Sequence, residues 1–295
     1  MGMRHFYIVA DLCISSDIDL VGVGIKGFKP FEVESANGEV DCHITFDKEI
    51  NRIEPPTTNL LSTSWIAEAN ANGSFYATDD GYLYRVEQCE HKDSKATFHI
   101  NTETKVITTD LVVDSVLGMS LLRFGIWVMF GVVLASHQGI AIHSSAIVHK
   151  DRVVLFLGES GTGKSTHTRL WRENIIGANL LNDDSPIIRI KDGAIRVYGS
   201  PWSGKTPCYR NLSYPIAGLC RLSQAPYNKI RKLSTIASIG ALLPSCPPVF
   251  AKDEKLQDSI CSTIGYVIRH TGVYHLECLS NSDAAFLSES TIYAE

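Results

Sequence analysis

The stretch Val153-Val154-Leu155-Phe156-Leu157-Gly158-Glu159-Ser160-Gly161-Thr162-Gly163-Lys164-Ser165-Thr166 decides the class of this chain. Residues 153–157 form a continuous apolar, β-rich run, the pattern of a buried strand. Residues 158–165 fit G-x-x-x-x-G-K-[ST], and residues 166–174 read as a helix. Strand, glycine loop and helix in that order predict a phosphate-binding P-loop. Gly161 and Gly163 let the backbone curl so that successive N–H groups point inward at anionic oxygens. The helix start adds its partial positive charge. Lys164 is expected to reach the β- and γ-phosphates and the Ser165 hydroxyl to ligate Mg²⁺. Gly158, Glu159, Ser160, Thr162 and Thr166 complete the expected cradle, and the expected ligands are ATP and Mg²⁺.

Residues 199–206, Gly-Ser-Pro-Trp-Ser-Gly-Lys-Thr, fit the same pattern in a different setting. Pro207 follows at once, Pro201 stiffens the loop, and residues 208–215 show no helical period. The second match therefore reads as a loop bordering a site rather than a second cradle. Lys205 and Arg210 are its candidate contacts to an acceptor or a phosphate.

The chain has 295 residues, 44% of them hydrophobic and 20% charged, with a net charge of −5. No basic run stands out, so nucleic acid is not an expected partner. The eight cysteines are scattered without zinc spacing and read as reduced thiols of a cytoplasmic protein. The apolar run Phe6-Tyr7-Ile8-Val9-Ala10 stops at Asp11, too short for a signal peptide. Residues 124–135 are apolar but fall short of the ~20 needed to cross a bilayer, and Arg123 and His137 bracket them. A buried helix at about 117–136 is expected, with no membrane partner.

Residues 1–112 read as a β-rich N-terminal region, an antiparallel meander of alternating runs punctuated by turns at Asn37-Gly38, Asn72-Gly73 and Asp79-Asp80-Gly81. Residues 113–295 read as the P-loop domain. Within it, residues 140–148 form a hairpin with the loop strand, so that strand gains an antiparallel neighbour. Residues 178–184 read as an apolar strand ending in Asp183 and Asp184, followed by a hairpin turned at Lys191-Asp192-Gly193. The last stretch reads as mainly helical, with Leu256, Ile260, Ile264, Val267 and Ile268 on one helix face. The expected class is α/β (α+β), a mixed and partly antiparallel sheet with flanking helices.

His143, the glycine loop, the Asp pair and the polar loop after residue 199 form a constellation. The segments "HSSAIVHKDRVVLFLGESGTGKST" and "LLNDDSPI" resemble the HPr kinase/phosphorylase family and related kinases of phosphoenolpyruvate-carboxykinase-like fold. The resemblance covers residues 140–190 well, the C-terminal part weakly and the first hundred residues not at all. It implies an ATP-dependent kinase acting on a hydroxyl, a serine in a protein or peptide. It further implies that one of Asp183 and Asp184 completes the Mg²⁺ shell while the other accepts the hydroxyl proton, with His143 beside the transferred group. Adjacent strand residues face opposite ways, so both carboxylates serve one site only where the strand ends, and Pro186 supplies that end. Thr166 stands where the HPr enzymes usually carry Glu, and no counterpart of their signature segment follows the Asp pair. Both departures count against HPr itself as acceptor.

Two other classes stay open: a nucleotide-binding regulatory protein without phosphotransfer, and a small-metabolite kinase. A GTPase is disfavoured, because Asn228-Lys229-Ile230-Arg231 ends in Arg where guanine reading needs a carboxylate. A homo-oligomer is compatible with all of these readings.

Overall fold

In the computed structural model, residues 3–36, 38–66, 70–89, 95–204 and 206–294 are described. Their strands gather into two nine-stranded sheets, with helices, in a mixed α/β architecture. The chain divides into two units, Met1–Ser136 with Pro248–Asp258, and His137–Pro247 with Ser259–Glu295.

The first unit holds the N-terminal sheet. Its strands Leu60–Ile66, Ala71–Thr78, Gly81–Gln88, Lys95–Asn101 and Val106–Thr109 follow one another antiparallel, the expected meander. The remainder is not antiparallel throughout. Cys42–Phe46 lies parallel to both Leu12–Ser16 and Val106–Thr109. Parallel neighbours need long crossovers, and residues 17–41 and 47–105 supply them. The turn expected at Asn72-Gly73 is instead strand interior. A Cβ at Gly73 would meet the Tyr84 hydroxyl at 1.9 Å, so this glycine admits a cross-strand side chain rather than turning the chain. Asn37 of another expected turn lies outside the described residues.

The helix Val116–Ser136 packs on the strands Gly81–Gln88 and Lys95–Asn101 of this unit, so it groups with the residues before it rather than with those after 136. It is 21 residues long, more than the apolar run alone suggested, and by length and composition could cross a membrane. More than half of its residues are buried. Segment 248–258 returns to this unit, where the Tyr82 hydroxyl donates to Asp253 Oδ1 at 2.9 Å.

In the second unit four strands lie side by side in the order Ser213–Gln224, Arg152–Leu157, Ser144–His149, Asn179–Asp184. The loop strand Arg152–Leu157 is antiparallel to Ser144–His149, as expected, and parallel to Ser213–Gln224. Two features depart from the sequence reading. The run 140–148 is broken into Gly139–Ala141 and Ser144–His149, because the N–H groups of Ile142 and His143 donate to Pro186 O and Ser245 O from distant segments. The twelve-residue strand Ser213–Gln224 falls in a stretch that reads as mainly helical. Pro215, Gly218 and Arg221 interrupt its apolar alternation.

The helix Lys164–Asn174 is anchored on this sheet through Trp171, which is fully buried. The Trp171 indole donates to Ser288 Oγ at 2.9 Å and to His167 Nε2 at 3.2 Å, tying it to the closing helix Ser282–Ile292. Burial of such a side chain contributes roughly 2–3 kcal/mol. Helix Glu254–His270 buries Leu256, Ile260, Ile264 and Val267 as predicted, with Ile268 only partly covered.

Candidate active site

The strand Arg152–Leu157 runs into residues 158–163, which lead directly into the helix Lys164–Asn174. Gly161 and Gly163 have φ of +86° and +101°, a left-handed conformation that L-residues with side chains adopt at a cost of roughly 1–2 kcal/mol. A Cβ at either would point into open space. These glycines serve backbone conformation, and the room in front of them stays free. Thr162 Oγ1 closes the loop by donating to Glu159 O at 2.8 Å.

Lys164 folds back over the loop. Its Nζ donates to Gly158 O at 2.6 Å and Glu159 O at 3.2 Å, and lies 3.0 Å from His143 Nε2. Burial holds the Lys164 pKa below its ordinary value; Asp184 and Asp183 oppose that shift, while Arg221 adds to it. The lysine is therefore a half-desolvated cation facing both carboxylates and a second cation.

The Asp pair converges on the segment before and within Ser144–His149. The Ser145 hydroxyl donates to Asp183 Oδ1 in a short hydrogen bond, and His143 Nδ1 lies 3.1 Å from Asp184 Oδ1. Two adjacent strand residues ordinarily face opposite ways. The strand ends at Asp184, whose φ of +126° is sparsely populated for a residue with a side chain. Such a conformation costs on the order of 1–3 kcal/mol and persists only where the surroundings impose it. Here Ser203 supplies an antiparallel bridge to Asp184, and its hydroxyl donates to Asp183 O at 3.0 Å. The pair differs in access: the Asp184 side chain is 40% exposed, whereas Asp183 is 5% exposed.

The loop after residue 199 sits against this strand end. Fully buried Asn182 holds it, donating to Trp202 O at 2.9 Å and Cys208 O at 3.3 Å while accepting from Ser185 N at 2.9 Å. No helix follows Thr206, and a Cβ on Gly199 would meet Arg210 O at 2.0 Å. Its glycine serves close packing. Arg210 is exposed beside Cys208, whose thiol burial pushes upward in pKa. Among the described residues no contact joins Arg210 to His143, Lys164 or the aspartates, and Lys205 lies outside the described residues.

His143, Lys164, Asp183 and Asp184 are thus brought together. Ser165 is exposed on the first helical turn, and among the described residues its hydroxyl has no partner and no contact to either aspartate. Thr166 is half-buried behind it. Glu159 and Ser160 line the outer side of the loop, across a cavity of about 400 Å³ from Arg221, Leu222, Ser223 and Gln224. Sequence reading missed that side. Arg221 pairs with Leu157 in the parallel register, and the lone signal for it is a charge inside an apolar run.

The residues suit a phosphate chain with a divalent cation: a loop with open space before its glycines, a desolvated lysine, and hard oxygen donors in the hydroxyl and carboxylates. Comparison of the chain with family models and with curated proteins returned no match.

Proposed function

We propose that the second unit is an ATP-dependent kinase that transfers the γ-phosphoryl group to a hydroxyl, a serine in a protein or peptide. One observation carries the reading: Lys164 Nζ, His143 and both carboxylates converge where a glycine loop turns into a helix. That set supplies what phosphoryl transfer asks of a protein, namely charge for the phosphates and a carboxylate for the attacking hydroxyl. The resemblance to HPr kinase/phosphorylase points the same way.

In this reading the N–H groups of residues 158–164 and the Lys164 ammonium bind the phosphate chain, the lysine exchanging its bonds to Gly158 O and Glu159 O for phosphate oxygens. Asp184 is the carboxylate that an acceptor can reach, and His143 orients it at 3.1 Å. It takes the hydroxyl proton. Buried Asp183, fixed by Ser145, and the Ser165 hydroxyl are the oxygen donors that would hold Mg²⁺. The cation would neutralise phosphate charge during transfer. All eight cysteines are free thiols, which suits a cytoplasmic setting.

The test is to incubate the purified protein with Mg²⁺ and γ-labelled ATP, with and without a lysate of the source organism. A labelled protein band supports the reading, and a labelled small molecule would move it to a metabolite kinase. ATP that binds and is never consumed would leave the regulatory reading standing instead.

A further inference from the structure

The sheet order gives the glycine loop two flanks. The loop strand Arg152–Leu157 lies between Ser144–His149, which leads to the His143 and aspartate side, and Ser213–Gln224, which carries Arg221. On the second flank the cavity of about 400 Å³ runs between residues 159–162 and residues 221–224. Gln224 Nε2 donates to Gly161 O at 3.3 Å, fixing the loop against this wall.

Arg221 is held from behind and open in front. Its Nη1 donates to Ala241 O at 3.3 Å. The carboxylate it faces is Glu159, at 3.7 Å, beyond hydrogen-bond range and on a side chain 80% exposed. Exposed pairs of that kind hold weakly and yield to a better anion. The Arg221 charge also depresses the pKa values of Lys164 and His275, though burial is the larger cause in both. A fixed guanidinium whose charge is felt at the loop lysine, beside an open cavity, has the form of an anion subsite.

Transfer chemistry says which anion. The acceptor oxygen bonds to the γ-phosphorus while the bond from that phosphorus to the bridging oxygen breaks. The proton goes to Asp184, and the electron pair stays on the departing β-phosphate. Attacking and leaving oxygens lie in line, so an acceptor at the Asp184 flank puts the leaving group on the other flank. We infer that Arg221 binds the diphosphate of the nucleotide in this cavity, neutralises the charge that grows on it during transfer, and releases Glu159 when it does so. The inference rests on the nucleotide-binding reading above.

Calorimetric titration of the full chain with MgADP tests it, with MgATP alongside. Arg221→Ala should weaken ADP by about tenfold or more, the usual scale for a charge-assisted contact. Arg221→Lys should recover part of that loss, since a point charge replaces the fork. Glu159→Gln should tighten ADP by about two- to fivefold in the parent, because it frees the guanidinium from its competitor, and by less in the Arg221→Ala background; an equal gain in both would mean that Glu159 merely repels the anion and would overturn the Arg221 assignment. Lys164→Ala separates the failures. If it binds ATP like the parent, the nucleotide-binding reading falls. If it loses ATP while Arg221→Ala keeps parental ADP affinity, the Arg221 assignment alone falls. Should Arg221→Ala fail to fold, Arg221→Gln takes its place in the same comparison, and a Glu159→Gln gain undiminished by it overturns the assignment.

Discussion

Residues 158–165 and 199–206 fit one pattern, yet the chain leaves the first into an 11-residue helix and the second into a stretch without regular structure until Ser213. Their glycines are needed for opposite reasons. Gly161 and Gly163 adopt positive φ with empty space in front of them. Gly199 has no spare room, since a Cβ there would run into the backbone of Arg210, and a Cβ added to Gly204 would come within 3.1 Å of the Asp184 Cβ. A glycine–lysine pattern thus describes two different objects, a loop with open space before its glycines and a clamp packed on a strand end. The residues beyond the lysine decide between them. After Lys164 comes a helix whose Trp171 reaches the core; Thr206 is followed by Pro207, and Asn182 pins the chain.

The strongest way to break that contrast is to remove the carboxylate that faces the first loop. Asp184→Asn should leave ATP binding near the parental value and lower phosphotransfer by about 10²–10⁴, the range for a lost general base. Asp183→Asn should also lower transfer strongly, with a raised Mg²⁺ requirement of the residual rate as its mark. Parental rates in both variants would make the pair a structural anchor for the second loop and nothing more.

Next in size is the lysine itself. Lys164→Ala should weaken MgATP by roughly a hundredfold, from the loss of charge-assisted contacts of about 1.5–3 kcal/mol each. Unchanged affinity, measured by calorimetry, would mean that the first loop is no more a cradle than the second.

The helix that distinguishes the first loop carries its own test. His167 is buried, and its Nε2 accepts from the Trp171 indole, a geometry only the neutral ring can hold. Burial lowers its pKa from the ordinary 6.5 to about 4. Between those values the unfolded chain binds a proton that the folded chain refuses. Stability is therefore fully present above about pH 6.5 and falls as the pH drops toward 4, by at most about 3 kcal/mol from this group. Urea unfolding at stepped pH values should show a shallower acid loss for His167→Gln than for the parent. Equal slopes would mean that the helix anchor does not titrate as the geometry requires.

The features legible in the sequence are those whose cause is local. An apolar run, a glycine loop and a helical stretch announced residues 152–174, and Pro186 announced where the aspartate strand stops. The features that escaped depend on distant partners. Ile142 and His143 read as strand interior until Pro186 O and Ser245 O claim their N–H groups. Gly218 reads as an interruption, but a Cβ there would meet Ile292 Cγ2 at 2.9 Å, so the closing helix demands it. With that strand went its cargo, Arg221 and the cavity wall. Asn182 reads as one more polar residue beside two aspartates, and only the folded loop shows that it accepts from Ser185 and donates to three backbone carbonyls.

The smallest effect is expected at the second loop, and it sharpens the contrast most. Lys205→Ala and Arg210→Ala should change ATP affinity by less than about twofold if, as proposed, the first loop binds the phosphates. If the loop borders the acceptor, both variants should raise the acceptor KM several-fold, on the scale of one exposed charge contact of roughly 0.5–1 kcal/mol. Arg210 stands exposed beside Cys208 rather than over Lys164, so its share should be the smaller and should fade as salt is added. The loop is held at Ser203 and Asn182 through bonds that do not involve Arg210, so Arg210→Ala should not disturb folding. A crystal soaked with MgATP provides the direct reading. One triphosphate at residues 158–166, with residues 199–206 bare of phosphate, keeps the two loops distinct; a triphosphate wrapped by 199–206 would show that the clamp is the cradle.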